Sequence, residues 1–196
     1  MKSYTVVLIS KDNISPMIKL LGVAAYRRCA EKCAKYFETD RIFVPALETE
    51  DSLNNISILN RYPEKSEIGH NLVIIDSALV FEGKFLWRMR NRFDPPVAAY
   101  SEDLKSLGFA ILKNEQYTES FFDNPWSNID AMLEKNLSAR VVVIDTHYFR
   151  INSKDDVKDA EDFILRSLKR QSDGIVSGNL NRAVSIKLTK FLARWS

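Results

Sequence analysis

The sequence predicts a layered α/β domain with a mainly parallel sheet. Three observations carry this expectation: short, almost continuous apolar runs rich in β-branched residues; helical periodicity between them; and an alternation of the two along most of the 196 residues. A chain of this length suits one globular domain with a sizeable core and a short appendage.

Tyr4–Ser10 (YTVVLIS) is the first such run, the pattern of a strand buried on both faces. Ser15-Pro16 reads as a helix start, with apolar positions continuing to Phe37. Arg41–Val44 reads as a second short strand, and Ser52–Leu59 has helical spacing that ends before Pro63. Asn71–Asp76 (NLVIID) is a third buried strand, closed by an acid. After Phe81-Glu82-Gly83 a helical segment runs through Trp87 and Met89 until Pro95-Pro96 breaks it. Val97–Tyr100, Gly108–Lys113 and Arg140–Ile144 are further strands, with a helix near Trp126–Lys135 between the last two. Lys154–Lys169 is an amphipathic helix with Val157, Ala160, Ile164 and Leu168 on one face. Asp173–Asn181, with its glycines and asparagines, reads as a linker. There is no internal repeat and no low-complexity segment.

The final stretch, Arg182–Trp195, is helical in period again. Val184, Leu188, Phe191, Leu192 and Trp195 share one face, while Lys187, Lys190 and Arg194 spread over the remainder. An interfacial membrane helix is built this way, and Arg182, Lys187, Lys190, Phe191, Arg194 and Trp195 are its candidate membrane contacts. The plainer alternative is a helix packed on the domain.

Composition sets outer bounds. No stretch reaches the roughly 18 uninterrupted apolar residues of a membrane span, and the N-terminus lacks the apolar run and small-residue cleavage site of a signal peptide. A cytoplasmic location is therefore expected. Cys29 and Cys33, four apart, read as two small residues on one helix face, because metal sites need further Cys or His at fixed spacing and only His70 and His147 exist. The net charge of +2 is uneven: residues 1–165 hold 21 Lys/Arg against 25 Asp/Glu, whereas residues 166–196 hold seven basic residues and one acid. An acidic body with a basic tail points to a polyanionic surface. The tail's large apolar face suits lipid better than nucleic acid.

The tail also carries a longer pattern. Asp173-Gly174-Ile175-Val176-Ser177, then Asn181-Arg182-Ala183-Val184-Ser185 and Thr189-Lys190-Phe191-Leu192-Ala193, resembles the connector between the two halves of the fused inositol-1-phosphate cytidylyltransferase/CDP-alcohol phosphatidyltransferase proteins. It departs from that connector at Gly178, where the family usually has Arg. The resemblance implies a GT-A-like, three-layer nucleotidyltransferase fold over residues 1–169. Residues 170–196 would form a linker and a basic amphipathic juxtamembrane helix. It also implies a membrane domain after Ser196 as the natural partner, a place on the cytoplasmic face of the cell membrane, and dimer contacts.

In that family a glycine-rich loop wraps the triphosphate, and a following lysine and arginine neutralise it. The equivalent stretch here, Leu8-Ile9-Ser10-Lys11-Asp12-Asn13-Ile14-Ser15-Pro16, has no glycine. In Met17-Ile18-Lys19-Leu20-Leu21-Gly22-Val23, Ile18 falls where the lysine belongs and Lys19 is displaced by one. Mg²⁺ would sit between an acid after the central strand, matched by Asp76, and a second acid near the sheet's end. That second pattern aligns with Tyr148–Asp156, where the leading acids have become Arg150 and Asn152. A guanidinium cannot ligate a cation, and the expectation is that Arg150 pairs with Asp76 in the metal's place. Asp145, in Val143-Ile144-Asp145-Thr146, is the alternative ligand, and Asp76 taken singly also fits a helix N-cap or turn acid.

Two functional expectations follow from the resemblance. In the first, the chain is a catalytically degenerate nucleotidyltransferase-like part of a CDP-alcohol phosphatidyltransferase in phospholipid biosynthesis, with Lys11, Lys19 and Asp76 as remnants of a nucleotide cleft. In the second it is a working cytidylyltransferase that joins CTP to a polyol phosphate. Lys11, Lys19, Arg27 and Arg28 would then supply charge, with Asp76 and Asp145 holding Mg²⁺.

Overall fold

The computed structural model describes residues 3–11, 15–134, 139–143 and 147–175. Twelve strands and four α-helices follow one another along them. The first half holds β1 (Tyr4–Leu8), β2 (Lys19–Leu20), β3 (Val23–Ala24), α1 (Ala25–Phe37), β4 (Arg41–Phe43), β5 (Asp51–Leu53), β6 (Ile56–Leu59) and β7 (Asn71–Ile75). The second half holds β8 (Leu79–Phe81), α2 (Gly83–Arg92), β9 (Val97–Tyr100), β10 (Ser106–Lys113), α3 (Pro125–Glu134), β11 (Arg140–Val142), β12 (Tyr148–Arg150) and α4 (Val157–Ile175).

Eight strands form one mostly parallel sheet in the order β11-β9-β10-β7-β1-β4-β6-β5. Only β10 and the edge strand β5 run against the rest. Both faces are covered, which explains the unbroken apolar runs. Because successive side chains in a strand point to opposite faces, Tyr4, Val6, Leu8, Val73, Ile75, Phe109 and Ile111 feed the core beneath α1 and α2. Val7, Leu72, Ile74, Ala110 and Leu112 feed the core that also takes Ile129 and Leu133 of α3. Each fully buried Leu, Ile or Val contributes about 1.5–3 kcal/mol, so the β1–β7 seam anchors the domain. A third core packs α4, through Ala160, Phe163 and Ile164, against Leu20, Val80 and Ile151.

Several expectations need correction. Helix α1 starts at Ala25, not near Ser15-Pro16. The intervening residues turn back as the β2–β3 hairpin, whose tip places Leu21 and Gly22 at φ 51° and 83°. Arg28 Nε donates to Leu20 O at 3.0 Å, and Leu21 N donates to Glu161 Oε1 at 2.6 Å, so the turn is fixed from both α1 and α4. Ser52–Leu59 is a hairpin, β5–β6, and not a helix. Asn54 holds φ 55° at its two-residue turn, a conformation that Asn tolerates better than most residues. The C-terminal helix begins with a 3-10 turn, Lys154–Asp156, and runs to Ile175, so Asp173, Gly174 and Ile175 are helical where a linker was expected. Strands β8 and β12 were not anticipated from the sequence. Among the described residues no helix is long and apolar enough to cross a membrane.

Candidate functional site

In an open α/β sheet, ligands bind outside the carboxyl ends of the strands, at the point where the crossovers diverge. Here β1 leads through α1 to β4 on one side, whereas the chain after β7 continues toward β9 and β10 on the other. The divergence therefore falls between β1 and β7. Asp76 directly follows β7, and Lys11 lies three residues past β1.

Asp76 is 1% exposed. Its Oδ1 accepts hydrogen bonds from the amides of Ala78 at 3.0 Å and Lys11 at 3.3 Å, and its Oδ2 accepts one from Arg150 Nε at 3.2 Å. The bond from Ala78 is the turn-acid role that the sequence also allows for Asp76. Arg150 arrives by strand pairing: β12 runs antiparallel to β8 with Arg150 opposite Leu79, and Ile151 N donates to Ala78 O at 3.1 Å. The expected Arg150–Asp76 pair is thus present. Burial pushes the Asp76 carboxyl above the ordinary carboxylate range. The Ala78 and Lys11 amides and the Arg150 guanidinium offset that only in part.

Gly108 packs directly against Asp76. It sits at φ 77°, and a Cβ there would come within 2.5 Å of the Asp76 Cβ. Its carbonyl accepts from Asp76 N at 2.6 Å. Sequence reasoning missed its role, although an isolated glycine at the head of a strand pattern is a signal for close backbone approach. It missed equally the half-buried pair of Glu82 and His147, with Oε2 and Nδ1 at 3.1 Å.

Of the remaining candidates, Lys11 stays beside Asp76 through its amide, and the others turn elsewhere. Lys11 Nζ donates to Ser106 O at 3.3 Å and lies 5.8 Å from the centroid of the Trp126 ring. Lys19 is exposed on β2, and no hydrogen bond among the described residues joins it to the Asp76 cluster. Arg27 grips the Asp51 carboxylate with Nε and Nη2 at 2.9 and 2.7 Å, tying α1 to β5. Arg28 is committed to the β2–β3 turn. The second candidate ligand, Asp145, and the membrane contacts Arg182, Lys187, Lys190, Phe191, Arg194 and Trp195 lie outside the described residues.

The described residues at this site do not fit a magnesium ion. Both Asp76 oxygens accept from donors, one of them cationic, and the second acid position carries Arg150 and Asn152. Among the described residues no group of three His, Cys, Asp or Glu is placed to hold a metal. A separate cleft of about 970 Å³, lined by Lys65, His70, Asn71 and Lys113 among others, opens at the amino end of β7 and shares no residue with the Asp76 site. No protein-family model matches the chain, and no curated protein sequence matches it either.

Proposed function

We propose that the chain is a catalytically degenerate, nucleotidyltransferase-like domain serving a CDP-alcohol phosphatidyltransferase of phospholipid synthesis, on the cytoplasmic face of the cell membrane. The observation that carries this reading is the Arg150 guanidinium on the buried Asp76 carboxylate, 3.2 Å away at the switch point of the sheet. Transfer from a nucleoside triphosphate relies on positioning and on neutralising phosphate charge. A cation fixed on Asp76, together with a loop after β1 that lacks glycine, withdraws both contributions.

The strand order supports a nucleotide-binding α/β sheet. Numbering β1, β4, β6, β7, β9, β10 and β11 from 1 to 7 along the chain, they lie 3-2-1-4-6-5-7 with the sixth reversed. The 3-2-1-4 part is a doubly wound half whose crevice suits a nucleotide. The basic, amphipathic Arg182–Trp195 segment supplies the membrane side of the reading.

Calorimetric titration of CTP into the full chain, with and without Mg²⁺, tests the cleft. The expected result is no metal-dependent heat at millimolar CTP. Mg²⁺-dependent binding at micromolar affinity, with pyrophosphate release from CTP and inositol phosphate, would overturn the reading in favour of a working cytidylyltransferase.

A further inference from the structure

Helix α2 buries Phe85, Leu86 and Met89 against the domain and turns its other face outward. That face presents Lys84, Trp87, Arg88, Asn91 and Arg92 at helical three- and four-residue spacing, with Trp87 47% exposed. The helix contains four basic residues and no acid, on a body that is otherwise net acidic. The fourth, Arg90, is turned inward, bonded to Tyr36 O and paired with Glu38 at 2.9 Å. The outward cations therefore surround a single indole.

We infer that this face of α2 docks on an anionic lipid surface, with Trp87 entering the headgroup layer and Lys84, Arg88 and Arg92 meeting lipid phosphates. Tryptophan settles at the headgroup level because it joins an apolar body to a polar N–H, and nearby Lys and Arg add attraction to anionic lipid. Charge argues against a second copy of this chain, since a two-fold contact would bring the same three cations face to face. The Arg92 guanidinium stands 5.7 Å from the Trp87 ring centroid, so base stacking by RNA would have only the other ring face to use. The inference deepens the membrane part of the proposed function and rests on it. It makes no use of the cleft, so the CTP titration and the lipid experiment fail independently.

The test uses the full chain carrying Trp195→Phe, so that no fluorescence comes from the tail, and vesicles of phosphatidylcholine with and without phosphatidylglycerol. With brominated lipid in the anionic vesicles, Trp87 emission is quenched, and the quenched component disappears in Trp87→Phe, a surface change that leaves the fold intact. Changing Lys84, Arg88 and Arg92 together to Gln lowers partitioning roughly a hundredfold, from about 1 kcal/mol per cation. Neutralising Arg182, Lys187, Lys190 and Arg194 instead leaves the Trp87 quenching in place. The proposal is overturned if the chain binds vesicles with Trp87 unquenched, or if it does not bind. It is overturned equally if Trp87 responds to tRNA and not to lipid, or if Trp87→Phe abolishes a dimer.

Discussion

Replacing Arg150 by methionine removes the cation from a carboxylate that is 1% exposed, while keeping most of the side-chain volume. An opposite charge at this range is worth about 1.4–4 kcal/mol to a buried carboxylate. The Ala78 and Lys11 amides stay on Oδ1, so a loss of about 2–3 kcal/mol at pH 8 is expected, below the roughly 3–5 kcal/mol of a pair left with nothing. The loss depends on pH in a definite direction. Burial holds the native Asp76 carboxyl above its ordinary range, so the native state keeps a proton that the unfolded chain has released. This contribution to stability falls as pH rises through that window. Without the guanidinium the native carboxyl moves higher still. The deficit of the variant therefore grows as pH rises from about 4 to 8, because a neutral acid no longer needs the partner. Urea unfolding at the two pH values reads this, and Asp76→Asn in the same background removes most of the Arg150→Met cost. An Arg150→Met deficit that is independent of pH, and unchanged beside Asp76→Asn, would refute the reasoning.

Other outcomes follow from the same geometry. Gly108→Ala combines a left-handed backbone with a clash on Asp76 and costs about 3 kcal/mol in chemical unfolding. Asn54→Val, at φ 55°, costs about 1–2 kcal/mol while Asn54→Gly is tolerated, a contrast that a helix over Ser52–Leu59 would reverse. Arg61 holds the Glu67 carboxyl at about 2. In Arg61→Ala, carboxyl titration by NMR finds it raised toward the ordinary range, with the Glu64 amide still holding it down, and the pair's contribution, present above that range, is lost on acidification in the wild type only. Burial raises the Cys33 thiol well above its usual range. Cys29 and Cys33, with sulfurs 3.9 Å apart, stay unlabelled by a thiol reagent until the protein is unfolded.

The central strands were legible because burial on both faces leaves a local trace: β1 and β7 are unbroken apolar words in the sequence. The β5–β6 hairpin was not, since Leu53, Ile56 and Leu59 recur at three-residue spacing and imitate a helix. There the Asn54-Asn55 pair was the better signal. The start of α1 was misplaced because its true N-cap, Ala24, offers no capping side chain, whereas Ser15-Pro16 has the composition of one. At the site, Asp76 and its pairing with Arg150 could be anticipated from two short motifs. The Lys11 amide and the Gly108 carbonyl could not, since they are backbone groups delivered by strands distant in sequence. The commitment of Arg27 and Arg28 to structural partners likewise follows from tertiary packing that no local pattern records.

The pairing of β8 with β12 has a consequence for biosynthesis. Asp76 is sealed by a residue 74 positions later in the chain. As the chain leaves the ribosome, β1, β4, β6 and β7 can assemble while the carboxylate at their rim still lacks its cation. Closure of the rim waits for Tyr148–Arg150 to emerge and for α4 to pack behind it, so the segment from Tyr148 to the end of α4 acts as a clasp on a sheet already laid down.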